Sequence, residues 1–157
     1  MAPITVREIK KADYPLLEDF LYHAVFQPPG GPPIPRGVIF QPEVFVYIKD
    51  FGGKDDCGVV AELEGQIIGI AWTRIIPGFG HIDKHTPELA VSVLPQHRGE
   101  GAGSLLMTQL FELLRRRRYR QTSLAVQQQN AAARFYTRLG YKIIRENDEE
   151  FIMIKNL

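Results

Sequence analysis

The sequence predicts an α/β fold built around a mixed sheet. Three observations point there. Segments with the two-residue alternation of strands are interleaved with segments at helical spacing, in the order β-α-α-β-β-β-α-β-α-β-β. The stretch "QHRGEGAGS" sets Gly99, Gly101 and Gly103 at alternate positions, where the apolar run "ELAVSVLP" hands over to the leucine-rich run "LLMTQLFELL". Finally, 157 residues at 45% hydrophobic and 24% charged suit one folded domain with a substantial core.

The first element, "ITVREIK", alternates apolar and polar residues as a half-buried strand does. In "ADYPLLEDFLYHAVF", Asp13 is expected to cap a helix whose apolar face carries Leu16, Leu17, Phe20, Leu21 and Ala24. The prolines and glycines of residues 27–42 exclude regular helix and central strand, leaving a long, stiffened loop. Such loops are often functional, and an acceptor lid and a passive surface excursion are both open readings. "PEVFVYIKDF" reads as a short helix with Pro42 in its first turn. "CGVVAELEG" and "QIIGIAWTRII" are strands joined by a hairpin near Glu64 and Gly65. A polar connection, residues 77–87, leads to the strand "ELAVSVLP". Leu106, Leu110, Leu113 and Leu114 then recur at helical spacing, "QTSLAVQ" is a strand, and "NAAARFYTRLG" is a helix capped by Asn130 and stopped by Gly140. A hairpin turning near Asn147 and Asp148 closes the chain.

Composition excludes several classes. A net charge of +1 implies no strong pull toward nucleic acid or anionic membrane. No apolar stretch approaches the ~20 residues that span a bilayer, and the expected location is cytoplasmic. Cys57 is the single cysteine, and with four scattered histidines it gives no metal-ligand spacing, so no metal is expected. The arginine run at 115–118 complements a helix C-terminus, and it starts about 15 Å along the helix from the glycines at ~1.5 Å per residue.

The glycines have a chemical reading. A helix's first turn leaves N–H groups unpaired and partly positive, and glycine lets backbone approach a ligand without a Cβ in the way. Together these form a phosphate cradle, to which Arg98 adds a suitable side chain. It is not a Walker A loop, since Ser104 and Leu105 follow Gly103 where Lys and Ser or Thr are needed. Nor is it a dinucleotide fingerprint, because both glycine registers reach Ser104 or Leu106 at the last position.

The second constellation narrows the reading. Arg98-x-x-Gly101-x-Gly103, followed about thirty residues later by Ala133, Phe135, Tyr136, Leu139 and Gly140 in "NAAARFYTRLGY", resembles the GCN5-related N-acetyltransferases (GNAT superfamily). The motifs lie within residues 88–141, about a third of the chain. The resemblance implies a mostly antiparallel, twisted sheet splayed between the fourth and fifth strands, with helices on both faces. It implies a single N-acetyltransferase domain over residues 1–157, with acetyl-coenzyme A as donor. The donor's pyrophosphate would lie on Gly99, Glu100, Gly101, Ala102, Gly103 and Ser104 beside Arg98. Its pantetheine arm would pair with the strand edge at Val91, Ser92 and Val93, where N–H and C=O groups are free. Asn130 would contact the arm near its thiol end.

Tyr136 resembles the family's general acid, since a phenol of pKa ~10 keeps a proton for the leaving thiolate. Glu88 stands where some family members have a glutamate base, often acting through water. An alkyl ammonium of pKa ~10.4 must lose its proton, and burial would have to raise Glu88 from ~4.3 for it to serve. His85, and with it His81, is the other candidate base. Trp72 and Phe79 are candidates for lining an acceptor pocket, although a strand tryptophan also suits the core. The implied reaction is direct attack of a primary amine on the thioester in a ternary complex, with a small-molecule acceptor. A backbone N–H near Val93 would stabilise the oxyanion. That makes the chain an acyltransferase moving groups other than amino-acyl groups, a monomer or a homodimer. A non-catalytic acyl-coenzyme A sensor, and an acetyltransferase acting on protein N-termini or lysines, remain alternatives.

Overall fold

In the computed structural model, which describes residues 2–157, seven strands form one sheet in the order β1-β2-β3-β4-β5-β7-β6. The strands are β1 (Thr5–Glu8), β2 (Cys57–Leu63), β3 (Gln66–Arg74), β4 (Glu88–Val93), β5 (Gln121–Gln127), β6 (Lys142–Glu146) and β7 (Glu150–Asn156). The helices are α1 (Leu17–Ala24), α2 (Pro42–Phe45), α3 (Ala102–Arg116) and α4 (Ala132–Arg138). Every neighbouring pair is antiparallel except β4 and β5, which run parallel. That pair holds register only at Glu88 opposite Ser123, so the sheet opens beyond it. This is the expected splay between the fourth and fifth strands.

Local chemistry explains most boundaries. Glu64 and Gly65 both have positive φ, 51° and 80°, the primed turn that suits the twist of a two-residue hairpin. The helix α4 stops at Gly140, which takes φ 102°. The Gly140 N–H bonds the Thr137 carbonyl at 3.0 Å and the Tyr141 N–H bonds the Tyr136 carbonyl at 3.1 Å, a Schellman closure.

Two apolar layers sandwich the sheet. On one face α3 buries Leu106, Leu110, Leu113 and Leu114 against β2 and β3. Each such side chain contributes about 1.5–3 kcal/mol on burial. On the other face, Leu17, Phe20 and Leu21 of α1 pack on Val60, Ile70 and Trp72.

Three expectations need correction. Asp13 does not start an α-helix; it lies in a 3-10 segment, Lys11–Leu16, where its carboxylate accepts the Lys10 N–H at 2.7 Å and the Arg7 guanidinium at 2.8 Å. Pro15, which has no N–H to donate, sits within that segment, and the α-helix begins at Leu17. Leu16 consequently leaves the apolar face and is 40% exposed. The 27–42 loop contains a 3-10 turn, Arg36–Phe40, whose Ile39 is buried in the core. The Tyr22 hydroxyl donates to the Ile34 carbonyl, and Arg36 pairs with Asp19 at 2.8 Å, so this half of the loop is anchored.

Candidate active site

The glycine loop opens α3 as a bare helix end. Gly101 is the N-cap residue, at φ 91°, and Gly99 lies at φ 82°; both are in the region that side chains rarely adopt. A Cβ on either would meet nothing within 4 Å, so conformation rather than crowding demands glycine there. No side chain caps the helix, and the first-turn amides of Ala102, Gly103 and Ser104 have no acceptor within α3.

These amides face a groove of about 920 Å³. Its walls include Val91, Ser92 and Val93 of β4, the loop from Arg98 to Ser104, the α4 entry at Asn130, and Tyr136. The charged or ionisable side chains on it besides Tyr136 are His23, His97 and Arg98; no carboxylate lines it. Arg98 turns back, donating from Nε to the Val93 carbonyl at 3.1 Å and from a terminal nitrogen to the His23 carbonyl at 3.4 Å. The Glu100 carboxylate lies 3.4 Å from His97, and Glu100 is not among the residues that line the groove. The Ser92 hydroxyl faces the opposite side and donates to the Phe20 carbonyl at 2.6 Å. The Asn130 side chain accepts the Ala132 N–H at 2.9 Å, capping α4 from one position before its N-cap.

A second cavity of about 300 Å³ adjoins this groove, sharing Ala24, Val25, Phe26, Val91, Asn130 and Tyr136 with it. Tyr136 is part-buried there, with its ring edge-on to Tyr141 at 5.8 Å between centroids. Burial pushes its phenol up to about 12, so it holds its proton at neutral pH.

Glu88 lines this second cavity and is 2% exposed. One oxygen, Oε2, accepts the Tyr47 hydroxyl and the Gly80 N–H, the latter at 2.9 Å. The other, Oε1, is buried and accepts no hydrogen bond from the described residues. Burial raises the carboxyl above its ordinary range, and the bond from Tyr47 and the Gly80 N–H partly oppose the rise.

The sequence explains how this carboxylate is enclosed. The loop through Gly78 and Gly80 passes so close that a Cβ on Gly78 would lie 2.5 Å from Glu88 Oε1 and 2.7 Å from the Tyr47 oxygen. A Cβ on Gly80 would lie 2.7 Å from the Leu124 backbone. Two side chains of β3 fix the turn that carries Tyr47. Trp72 donates to the Tyr47 carbonyl at 2.9 Å, and Arg74 donates to the carbonyls of Val46 and Lys49 at 3.0 and 2.6 Å.

Trp72 is therefore core, fully buried behind the pocket, whereas Phe79 does line the cavity and stacks on Tyr47 with centroids 6.4 Å apart. His81 and His85 are exposed and line neither cavity; the His85 N–H belongs to a turn closed by Asp83. Sequence reasoning missed Tyr47 and Glu150, the second carboxylate on the cavity. Among the described residues no group of histidine, cysteine or carboxylate side chains is arranged to hold a metal ion, and no helix is long and apolar enough to cross a membrane.

Comparison with known proteins adds an independent line. No curated protein sequence is significantly similar to the chain. Solved structures do resemble it. A GCN5-related N-acetyltransferase from Kribbella flavida aligns at TM-score 0.70 and 20% identity, covering 98% of both chains. The PaiA N-acetyltransferase of Thermoplasma acidophilum, solved with coenzyme A, aligns at 0.68 and 16% over 99% of both. The ribosomal-protein-S18-alanine N-acetyltransferase of Escherichia coli aligns at 0.67 and 19%, over 98% of this chain and 94% of that one. At such identities the likeness speaks for the fold. A sequence model of the acetyltransferase (GNAT) family matches residues 19–141, most of the chain. With that match, the glycine-opened helix and the splayed sheet have one common explanation: the chain belongs to the GNAT acetyltransferase family.

Proposed function

We propose that the protein is an acetyl-coenzyme A-dependent N-acetyltransferase that moves an acetyl group directly to a small primary amine in a ternary complex. The observation that carries this reading is the junction of two cavities of opposite character at Val91, Asn130 and Tyr136. The larger offers bare amides and basic side chains; the smaller offers a buried carboxylate.

The groove fits the donor on its own features: uncapped amides at the start of α3, open space above Gly99 and Gly101, and a strand edge released by the splay. When bound, acetyl-coenzyme A supplies an activated thioester. The amides of residues 99–104 would hold its diphosphate, and Arg98, released from the Val93 and His23 carbonyls, would add a charge. Val91 and Val93 would offer backbone groups to its amide arm, and Asn130 would meet the arm near the sulfur.

Glu88 is the proposed base. Oε2 is fixed by two donors, and Oε1, which accepts none, is packed beside Gly78, so a small shift of the side chain or a relaying water would carry the ammonium proton to it. Its raised pKa suits that task better than an ordinary carboxylate's. Tyr136 would serve the sulfur. Kept protonated by burial, its phenol would act as general acid and give its proton to the departing thiolate.

Titration calorimetry with acetyl-coenzyme A, followed by thiol release across a panel of amines, amino acids and peptides, tests this. Binding and amine-dependent release support it. Binding without release on any acceptor would favour a non-catalytic sensor, and release on peptides alone would favour a protein acetyltransferase.

A further inference from the structure

We infer that the smaller cavity selects a small organic cation, an amine with an apolar body and no carboxylate, and that Glu150 sets this selection. The inference rests on the transferase reading and specifies its acceptor class.

Charge is the first argument. Two carboxylates line the cavity, Glu88 and Glu150, and no lysine, arginine or histidine does. Neither is in an ion pair with a cation among the described residues. A buried or half-buried carboxylate without a cation is costly, and the cost is relieved when a ligand brings the positive charge. Glu88 Oε1 is buried beside Gly78 and accepts no hydrogen bond among the described residues, which adds to the cost of the uncompensated charge.

Sheet register provides the second argument. Glu150 of β7 lies opposite Gln127 of β5, and Glu88 of β4 lies opposite Ser123 of β5. Ser123 and Gln127 are four residues apart, so Glu88 and Glu150 share one sheet face. The Glu150 backbone is held by the turn at Asn147, whose side chain accepts the Glu150 N–H at 2.7 Å. Its half-buried carboxylate pairs with no cation among the described residues.

The remaining walls are mainly apolar, with Phe26, Val44, Phe79 and Leu124 joined by Tyr47, stacked on Phe79, and by the neutral polar groups of Gln127, Asn130 and Tyr136. A volume of about 300 Å³ is at the small end for ligand sites. Such a chamber accepts an aryl or branched alkyl body behind an ammonium. An α-carboxylate on the same skeleton would meet Glu88 and Glu150 with like charge and nothing to balance it.

The test compares 2-phenylethylamine with phenylalanine, which differ only by that carboxylate. Wild-type protein should favour the amine by at least a hundredfold in kcat/KM. In Glu150→Gln the KM for the amine should rise about tenfold with kcat kept within threefold, and the preference over phenylalanine should narrow. Affinity for acetyl-coenzyme A and thermal stability should not move. Equal use of both compounds, or an unchanged KM in the variant, overturns the inference. Calorimetry of the amine on coenzyme A-saturated protein separates this failure from that of the transferase reading. Amine binding that weakens in the variant, without thiol release, sustains the selectivity and contradicts catalysis. Absence of both binding and transfer overturns the inference.

Discussion

The groove and the smaller cavity are built by opposite strategies. The groove is mainly backbone: a run of amides from Gly99 to Ser104 and the free edge of β4, contributed by adjacent residues. The cavity is mainly side chain: Tyr47, Phe79, Glu88, Glu150 and Leu124 come from five separate segments. The first carries basic groups and no acid, the second acids and no basic group. A backbone cradle recognises what every donor molecule shares, a diphosphate and amides. A side-chain chamber can change with each acceptor while the cradle stays the same.

The largest break in this contrast should come from Glu88→Gln. Losing the base should lower kcat at least a hundredfold while calorimetry gives an unchanged donor Kd. Gly101→Ala attacks the other region. A side chain at φ 91° costs about 1–2 kcal/mol of strain, so donor Kd should weaken about tenfold and Tm should fall.

Tyr47→Phe is subtler. Glu88 is faced by Tyr47, the Gly80 N–H, His81 and Glu150. Its base form is lost as pH falls through a pKa already raised by burial, so kcat/KM should have an acid limb above the usual carboxylate range. Removing the Tyr47 hydroxyl deletes a bond that favours the carboxylate, so the limb should move to higher pH. A pH–rate profile of the variant beside the wild type reads that shift, with kcat at the plateau falling only a few-fold.

The smallest effect belongs to Arg116→Ala, in the last turn of α3. It should cost about 0.3–1 kcal/mol in urea unfolding, the size of a helix-dipole contribution, and leave donor Kd untouched.

The same contrast decides what was legible from sequence. The cradle is local, so "QHRGEGAGS" displayed its glycines and its helix handover in one stretch. β5 was bounded correctly at Gln121 and Gln127, the polar residues that end a short segment carrying the apolar run Leu124, Ala125 and Val126. α3 begins at Ala102, earlier than its leucine spacing suggests, since Gly103 and Ser104 carry no apolar signal. The chamber was only partly legible. Glu88 drew attention through the family resemblance, but Tyr47 is 41 positions from it and lies in a turn after the four-residue α2. No periodicity marks such a residue; Trp72 and Arg74 hold it from another strand. Glu150 was hidden in a hairpin whose turn residues gave a stronger signal than its second strand. Asp13 misled for the opposite reason. Its capping chemistry is real, but Pro15 two residues later fits the 3-10 turn it serves.

Tyr136 belongs to both regions, so it tests most directly whether they form one reaction site. The measurement is donor affinity by calorimetry together with the single-turnover rate of thiol release, in Tyr136→Phe and in wild type. We predict a donor Kd within twofold of wild type and a rate at least tenfold lower. An unchanged rate, or a donor affinity that falls as far as the rate does, would contradict the claim that this phenol serves the sulfur where the two cavities meet.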